Sequence, residues 1–406
     1  MKVIFLSNFY PKCRRDHYFS RSKSGLAAAA DAHQYALALG LRKVCPDFSI
    51  VNSPSIFSYP LHYKDMKIPT ETIEENGLFI NNVGFCTIME YQFYSRYHNI
   101  YAKLKEMVKM TNDCVYILVY ATNISFLKAA TKIKSEFKNV KINLIVPDLP
   151  EDMPSHCGLL YSLIKQLRES YFNTPESYYK YFDSFVLLTE YMKEKIGCSG
   201  NYIVNEGVYE EDVPRRIPHK EDPNIFTLFY GGMLYQKFGI INLVNAVHSI
   251  NDSNVILELC GTGDCVDYVK SIAKIDNRIR YLGVISREEA LSYQSRASLL
   301  VNPRIPDGNP FTRYSFPSKT LEYFASGTPT LLYQLDGIPK EYFKYCYSLD
   351  SNHTSQQDLS EKIVQILSIP EQKRLQVAES ARKFVLENKN PLKAAIQIMD
   401  LLNRTV

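Results

Sequence analysis

The sequence has no tryptophan, although it has 30 Tyr and 21 Phe, and nothing in its pattern accounts for that bias. It has no Cys-x-x-Cys pair. Nine cysteines stand scattered at positions 13, 45, 86, 114, 157, 198, 260, 265 and 346. Several, such as Cys114 and Cys260, sit inside apolar runs. An odd, dispersed set of this kind reads as reduced core thiols and excludes a structural zinc site of the paired-cysteine type. No apolar run approaches the roughly 20 residues that a membrane helix needs. The opening Met1-Lys2-Val3-Ile4-Phe5-Leu6 is too short for a signal peptide and is soon followed by charge. The expectation is a cytoplasmic protein. Charge of one sign is also lacking: 47 basic against 43 acidic residues leave +4. That is too mild for a nucleic-acid binder, and it leaves anionic substrates or brief contact with an anionic membrane surface open.

What is present is an ordinary globular composition, 46% hydrophobic and 22% charged over 406 residues, which suits two or three domains. Short apolar runs alternate with longer amphipathic ones. The first half predicts strands at Lys2–Ser7, Cys114–Tyr120, Lys141–Val146 and Ser184–Leu188. Its helices are predicted at Ser24–Leu39, Tyr97–Met110, Ser125–Phe137 and Gly158–Phe172. The second half predicts strands at Ile225–Tyr230, Val255–Cys260, Ile279–Leu282, Leu299–Asn302 and Thr330–Tyr333. Helices are predicted there at Ile240–Ile250, Asp267–Lys274, Arg287–Ser295, Ser318–Ser326 and Leu359–Leu367. This alternation implies an α/β chain with two doubly wound parallel sheets. The expected division is a first domain over 1–207, a polar, Pro-rich linker over 208–223, a second domain over 224–385 and a C-terminal segment over 386–406. The helix of that last segment, about Pro391–Leu402, can pack on either domain, and a return to the first is the working expectation.

Candidate ligand-binding residues follow from glycines at strand ends and from helix starts. Ser24 reads as an N-cap, Gly25 as close backbone access at a helix N-terminus, and Gly40 as a C′ stop. Five basic residues lie from Lys12 to Lys23, so this loop reads as an anion contact or as a solvated basic loop. In the second half, Tyr230-Gly231-Gly232 through Lys237 and Gly239 follows a strand. The glycines clear room at the crevice edge, and Lys237 offers a point charge to a pyrophosphate. Gly261-Thr262-Gly263 ends another strand and, alone, is a tight turn. Ser318 is a candidate N-cap after Pro317. The N–H groups of Lys319, Thr320 and Leu321 then point at a phosphate, and Glu322 suits two vicinal ribose hydroxyls. Taken alone, that segment is also simply a capped helix.

Together, Gly231 to Lys237, Gly261-Thr262-Gly263, Leu282-Gly283-Val284-Ile285, Asn302-Pro303 and Leu321 to Pro329 resemble the donor-binding domain of the GT-B glycosyltransferases, in particular glycosyltransferase family 4. The first half matches more loosely, in its opening strand and Gly25 helix, Phe182 to Glu190 and Asn205 to Val208. The resemblance implies a GT-B fold, two Rossmann-like domains facing a central cleft. It implies Lys237 on the donor diphosphate, Glu322 on the ribose, and the Val284 and Ile285 backbone at the base. Ser318 to Leu321 would offer N–H groups to the diphosphate. The chain also departs from the pattern. Gly232 stands where the family usually has Arg. Tyr314 stands eight positions before Glu322, where the first Glu of the E-x7-E motif is expected. The Pro317-Ser318-Lys319 form resembles members that assemble polysaccharides, and Asp307 to Arg313, with Asn309, is placed to replace the missing contacts. Where the first domain commonly has a cleft His, the nearest polar residue is Asp148.

The implied chemistry is retaining transfer of a hexose-type sugar from a UDP- or GDP-linked donor to a glycan or lipid-linked saccharide, as in capsule or exopolysaccharide synthesis. No cofactor or metal is implied, and no Asp-x-Asp motif occurs. Lys103, Lys105 and Lys109 on the Tyr97–Met110 helix form a face that either rests on anionic lipid at the inner side of the cell membrane or is solvated. Two other classes remain: a different GT-B enzyme such as an epimerase, and a non-catalytic subunit that binds sugar nucleotides.

Overall fold

A computed structural model describes residues 1–23, 26, 28–149, 168, 170–198, 200–209, 225–306, 308 and 310–404. The chain divides into two compact units, Met1–Val208 with Pro391–Val406, and Tyr209–Asn390. Ser24, Gly25, the linker region 210–224 and most of the helix predicted over Gly158–Phe172 lie outside the described residues.

The first unit is built on β1 (Lys2–Ser7), β2 (Phe48–Asn52), β3 (Lys67–Ile68), β4 (Glu71–Glu75), β5 (Leu78–Asn82), β6 (Phe85–Cys86), β7 (Val115–Tyr120), β8 (Val140–Val146), β9 (Ser184–Leu187) and β10 (Tyr202–Val204). Eight of these form one sheet in the order β10-β9-β8-β7-β1-β2-β5-β4. All its pairings are parallel except β4 with β5. Central strands buried on both faces read as continuous apolar runs, and every residue of β7 is buried. That is why β1, β7, β8 and β9 are legible in the sequence. Strands β2, β4 and β5 are not, because polar residues interrupt their apolar ones: Phe-Ser-Ile-Val-Asn, Glu-Thr-Ile-Glu-Glu and Leu-Phe-Ile-Asn-Asn. The strand order reverses between β1 and β7.

The helix predicted to stop at Gly40 runs on, over Ala28–Val44. Gly40 is a packing residue instead: a Cβ there would stand 2.1 Å from the carbonyl oxygen of Pro391. The C-terminal helix Pro391–Arg404 lies against this helix, with Ala394, Ala395, Ile398, Leu401 and Leu402 in the core under β1 and β7.

The second unit is a six-stranded, wholly parallel sheet. Its strands are β11 (Phe226–Gly231), β12 (Val255–Cys260), β13 (Ile279–Tyr281), β14 (Leu299–Asn302), β15 (Thr330–Tyr333) and β16 (Tyr347–Leu349). They lie in the order β13-β12-β11-β14-β15-β16. The order reverses between β11 and β14, so the crevice of this sheet opens where Gly231 and Asn302 end their strands. The helix Arg287–Arg296 starts with a full capping box, Ser286 with Glu289. Among the described residues no helix is long and apolar enough to cross a membrane.

Gly40→Ala should lower the stability of the first unit by about 1–3 kcal/mol. Overpacking against a carbonyl outweighs the gain in helix propensity of about 1 kcal/mol. A denaturant midpoint at or above that of the wild type would show that the C-terminal helix does not dock at Gly40.

Candidate functional site

In the second unit, the glycines bring two loops together at the carboxyl edge. The N–H of Gly232 donates to Cys260 O at 3.0 Å, Leu234 N to Thr262 O at 2.8 Å and Cys265 N to Leu234 O at 2.9 Å. Gly261 has φ +130°, and a Cβ there would stand 1.8 Å from Gly232 O. Gly261-Thr262-Gly263 is therefore a seam between the loops after β11 and β12 rather than an isolated turn. Gly232 has close neighbours: a Cβ there would stand 3.3 Å from Tyr230 Oη, 3.6 Å from its Cζ and 3.7 Å from Lys319 Cε.

Lys319 opens the helix Lys319–Ser326 and crosses Gly232 to reach Glu322 one turn on, Nζ to Oε1 at 3.2 Å. Gln294, wholly buried on the Arg287–Arg296 helix, donates to the same oxygen at 2.7 Å. Arg287 lies 3.7 Å from Oε2. Burial pushes the Glu322 carboxyl up, but Lys319, Gln294 and Arg287 outweigh it and hold it below its ordinary range, so it stays ionised. Beneath it, burial pushes the Cys260 thiol up to about 11 and keeps it neutral. Tyr323 accepts the N–H of Gly231 at 3.4 Å. The structure thus brings Gly231, Gly232, Gly261, Lys319 and Glu322 into one cluster. Gln294 and Arg287 complete it, and neither is marked by any local sequence signal.

Other expectations change. Ser318 has helical backbone angles and makes no side-chain cap. The turn closes instead through Thr320 N to Pro317 O at 2.8 Å, so that N–H is already used. Thr320 and Leu321 are buried, leaving Lys319 as the helix start's charged reach. Lys237 is exposed on the short helical turn Gln236–Phe238, in a groove of about 920 Å3 with Gln236, Asn242, Asn245, Asp264 and Ile305; Glu322 and Lys319 do not line it. Val284 is 75% exposed after the turn at Gly283, whereas Ile285 leans on the core beside Phe229 and Cys260. Tyr314 ends the helix Pro310–Tyr314 and is half-buried. Asp307 and Asn309 lie outside the described residues. A further cation, missed in the sequence, is Arg304. It is buried after β14, donates to Ser315 Oγ at 3.0 Å and lies 5.7 Å over the Phe238 ring.

In the first unit, Gly25 lies outside the described residues and Asp148 is exposed after β8. The carboxyl edge carries a buried polar ladder on the last residues of three adjacent strands. Ser7 donates to Asn52 at 3.0 Å, and Asn52 donates to Asn82 at 2.9 Å and to Phe9 O at 3.1 Å. At the order reversal, His33 Nδ1 meets the hydroxyl of Tyr120 at 3.0 Å. Burial pushes the His33 imidazole from 6.5 down to about 4, with Asn205 pulling weakly the other way. The lysine face read as lipid-facing is partly committed: Lys103 pairs with Glu106 and Lys105 with Glu136. Among the described residues the eight cysteines are free thiols.

Residues 210–384 match the family model described as glycosyl transferases group 1. Across its whole length the chain is similar in structure to sucrose-phosphate synthase from Thermosynechococcus elongatus, with 13% identity and a TM-score of 0.65, covering 100% of this chain and 99% of that one. It is similar to HepE from Anabaena, solved in complex with UDP, with 14% identity, a TM-score of 0.60 and 100% of both chains covered. It is also similar to a trehalose-6-phosphate synthase studied for glycosyl transfer with retention, with 11% identity, a TM-score of 0.61 and 99% of both chains covered. At these identities the likeness establishes the GT-B fold. No curated protein sequence matches the chain.

His33 gives a pH signature. Between pH 6.5 and about 4 the unfolded chain binds a proton that the folded one refuses, so stability falls as pH drops through that window. The loss should reach on the order of 2–3 kcal/mol by pH 4, and His33→Gln should flatten that limb of the curve. Equal slopes in both proteins, followed by denaturant midpoints from pH 7 to pH 4, would remove His33 as the cause.

Proposed function

We propose that this chain is a glycosyltransferase that moves a hexose-type sugar from a UDP- or GDP-linked donor, with retention and without a metal, to a glycan or lipid-linked saccharide in cell-surface polysaccharide synthesis; the match of residues 210–384 to the group 1 glycosyl transferases and the GT-B fold support this reading. The observation that carries the reading is the ionised Glu322, gripped by Gln294 and by Lys319, whose side chain passes Gly232 at the order reversal of the sheet. Its free lone pairs take the two ribose hydroxyls. Lys319 and the Gly231-Gly232 backbone meet the diphosphate, and the exposed Val284 turn meets the base. Lys237 adds charge from the groove beside β11.

The chemistry asked of these residues is charge stabilisation. As the bond from the anomeric carbon to the diphosphate breaks, the acceptor hydroxyl attacks from the same face and gives its proton to the departing diphosphate oxygen. Fixed cations then lower the barrier more than a protein nucleophile would. The Anabaena structure with UDP and the synthase studied for retention support the donor class and the stereochemistry.

Glu322→Ala should weaken nucleotide-sugar binding by about 10- to 100-fold, the worth of two charge-assisted hydrogen bonds. Lys237→Ala and Lys319→Ala should each lower kcat by about 100-fold, as loss of a stabilising donor does. Titration calorimetry with UDP- and GDP-sugars and turnover in the presence of EDTA measure these effects. Unchanged turnover in Glu322→Ala and Lys237→Ala would sink the site assignment, and an inverted product anomer would sink retention.

A further inference from the structure

The first unit has a small apolar cluster apart from its main core, made of Tyr10, Tyr18, Ile56, Tyr63, Ile68 and Phe85. Three segments run beside it, residues 19–23, 57–67 and 87–91, and backbone hydrogen bonds join them. Lys23 N donates to His62 O at 2.8 Å, and Lys64 N to Arg21 O at 3.1 Å. Tyr59 N donates to Thr87 O at 2.9 Å, and Thr87 N to Met66 O at 3.0 Å.

These joined segments are also where large apolar side chains stand in water. Phe19, Phe57, Leu61, Met66, Ile88 and Met89 are all exposed, Leu61 by 66% and Met66 by 54%. The cluster beside them is already sealed, since none of its six members is more than 3% exposed. Single exposed apolar residues are ordinary, but a group on adjoining segments marks a surface that another body covers.

Charge says which body. The carboxylates of these segments are Asp65 and Glu90, and Arg21 and Arg168 pair with them. Lys23, Lys64 and Lys67 are exposed and pair with no carboxylate among the described residues. The amino groups of Lys23 and Lys64 donate instead to the carbonyls of Pro60 and Ser20, both at 2.8 Å. Those carbonyls belong to the same segments, so both charges are held at the patch. Exposed apolar side chains beside uncompensated cations match an anionic lipid surface. The first enter the acyl boundary, and the second meet the headgroups. A fluid acyl layer closes around side chains in any arrangement, whereas a folded acidic partner needs a fitted pocket for each.

We propose that the first unit rests on an anionic lipid surface through residues 19–23, 57–67 and 87–91, rather than through the face of Lys103, Lys105 and Lys109. The lipid-linked acceptor of the transferase reading gives this contact a purpose, but the binding does not rest on it.

Sedimentation of the full chain with vesicles tests this, one set of phosphatidylcholine alone and one of equal parts phosphatidylcholine and phosphatidylglycerol. The mixed vesicles should bind it about tenfold more tightly or better. Lys64→Gln/Lys67→Gln should weaken that binding by about fivefold for each lysine. Leu61→Ser/Met66→Ser should weaken it by about tenfold or more. Both variants should keep the wild-type melting temperature, because the exchanged side chains are already exposed. If one of them does not fold, the other decides. Lys103→Gln/Lys109→Gln should bind as the wild type does. Full recovery in the supernatant with both vesicle sets would overturn the assignment and leave the patch to a protein partner. Undiminished binding by either patch variant, or loss in Lys103→Gln/Lys109→Gln alone, would overturn it too. Vesicle binding by a chain that binds no nucleotide sugar would leave this surface standing and remove the transferase reading instead.

Discussion

The carbonyl oxygen of Gly232 lies where a side chain on Gly261 would have to begin, and the second unit depends on that close approach. Only a glycine at 261 permits that approach, and its φ is one that L side chains rarely adopt. The approach aligns the loop after β11 with the loop after β12 through the hydrogen bonds at Gly232, Leu234 and Cys265. With that seam set, Gly231 can donate to Tyr323 and Lys319 can cross Gly232 to reach Glu322. The placement of Lys319 and Glu322 at the sheet edge thus follows from one backbone contact.

The two units treat polarity at their sheet edges differently. In the second, one carboxylate is kept charged by three partners on two helices, which suits neutral hydroxyls that need an acceptor. In the first, buried Ser7, Asn52 and Asn82 satisfy one another across three strands. Two polar groups there are less well served: Arg96, which has no carboxylate partner among the described residues, and the partly buried His33, whose Nε2 is sealed without a partner.

Much of the fold could be read along the chain. Strands β1, β7, β11 and β14 are largely apolar because both faces of a parallel sheet are covered. The helix after Ser286 and the one ending at Gly327 carry local stop and start signals, a capping box and a left-handed glycine. Reading failed where a residue's role depends on a distant partner. Gly40 looks like a helix stop and is a contact for Pro391, 351 positions later. Ser318 looks like a cap, but Pro317 O already takes the N–H of Thr320 and closes the turn.

The sequence by itself determined the class of the protein. Periodicity, glycines at strand ends and the Lys319-to-Pro329 segment are local patterns, and local patterns suffice to specify a doubly wound sheet with a nucleotide-type edge. Only the tertiary structure decided which side chains act together. Gln294 and Arg287 reach Glu322 from another helix, and Arg304 follows β14 to lie over the Phe238 ring. These are facts of distance and burial. Charge interactions fall off within a few ångströms and strengthen out of water, so a linear order of residues does not encode them.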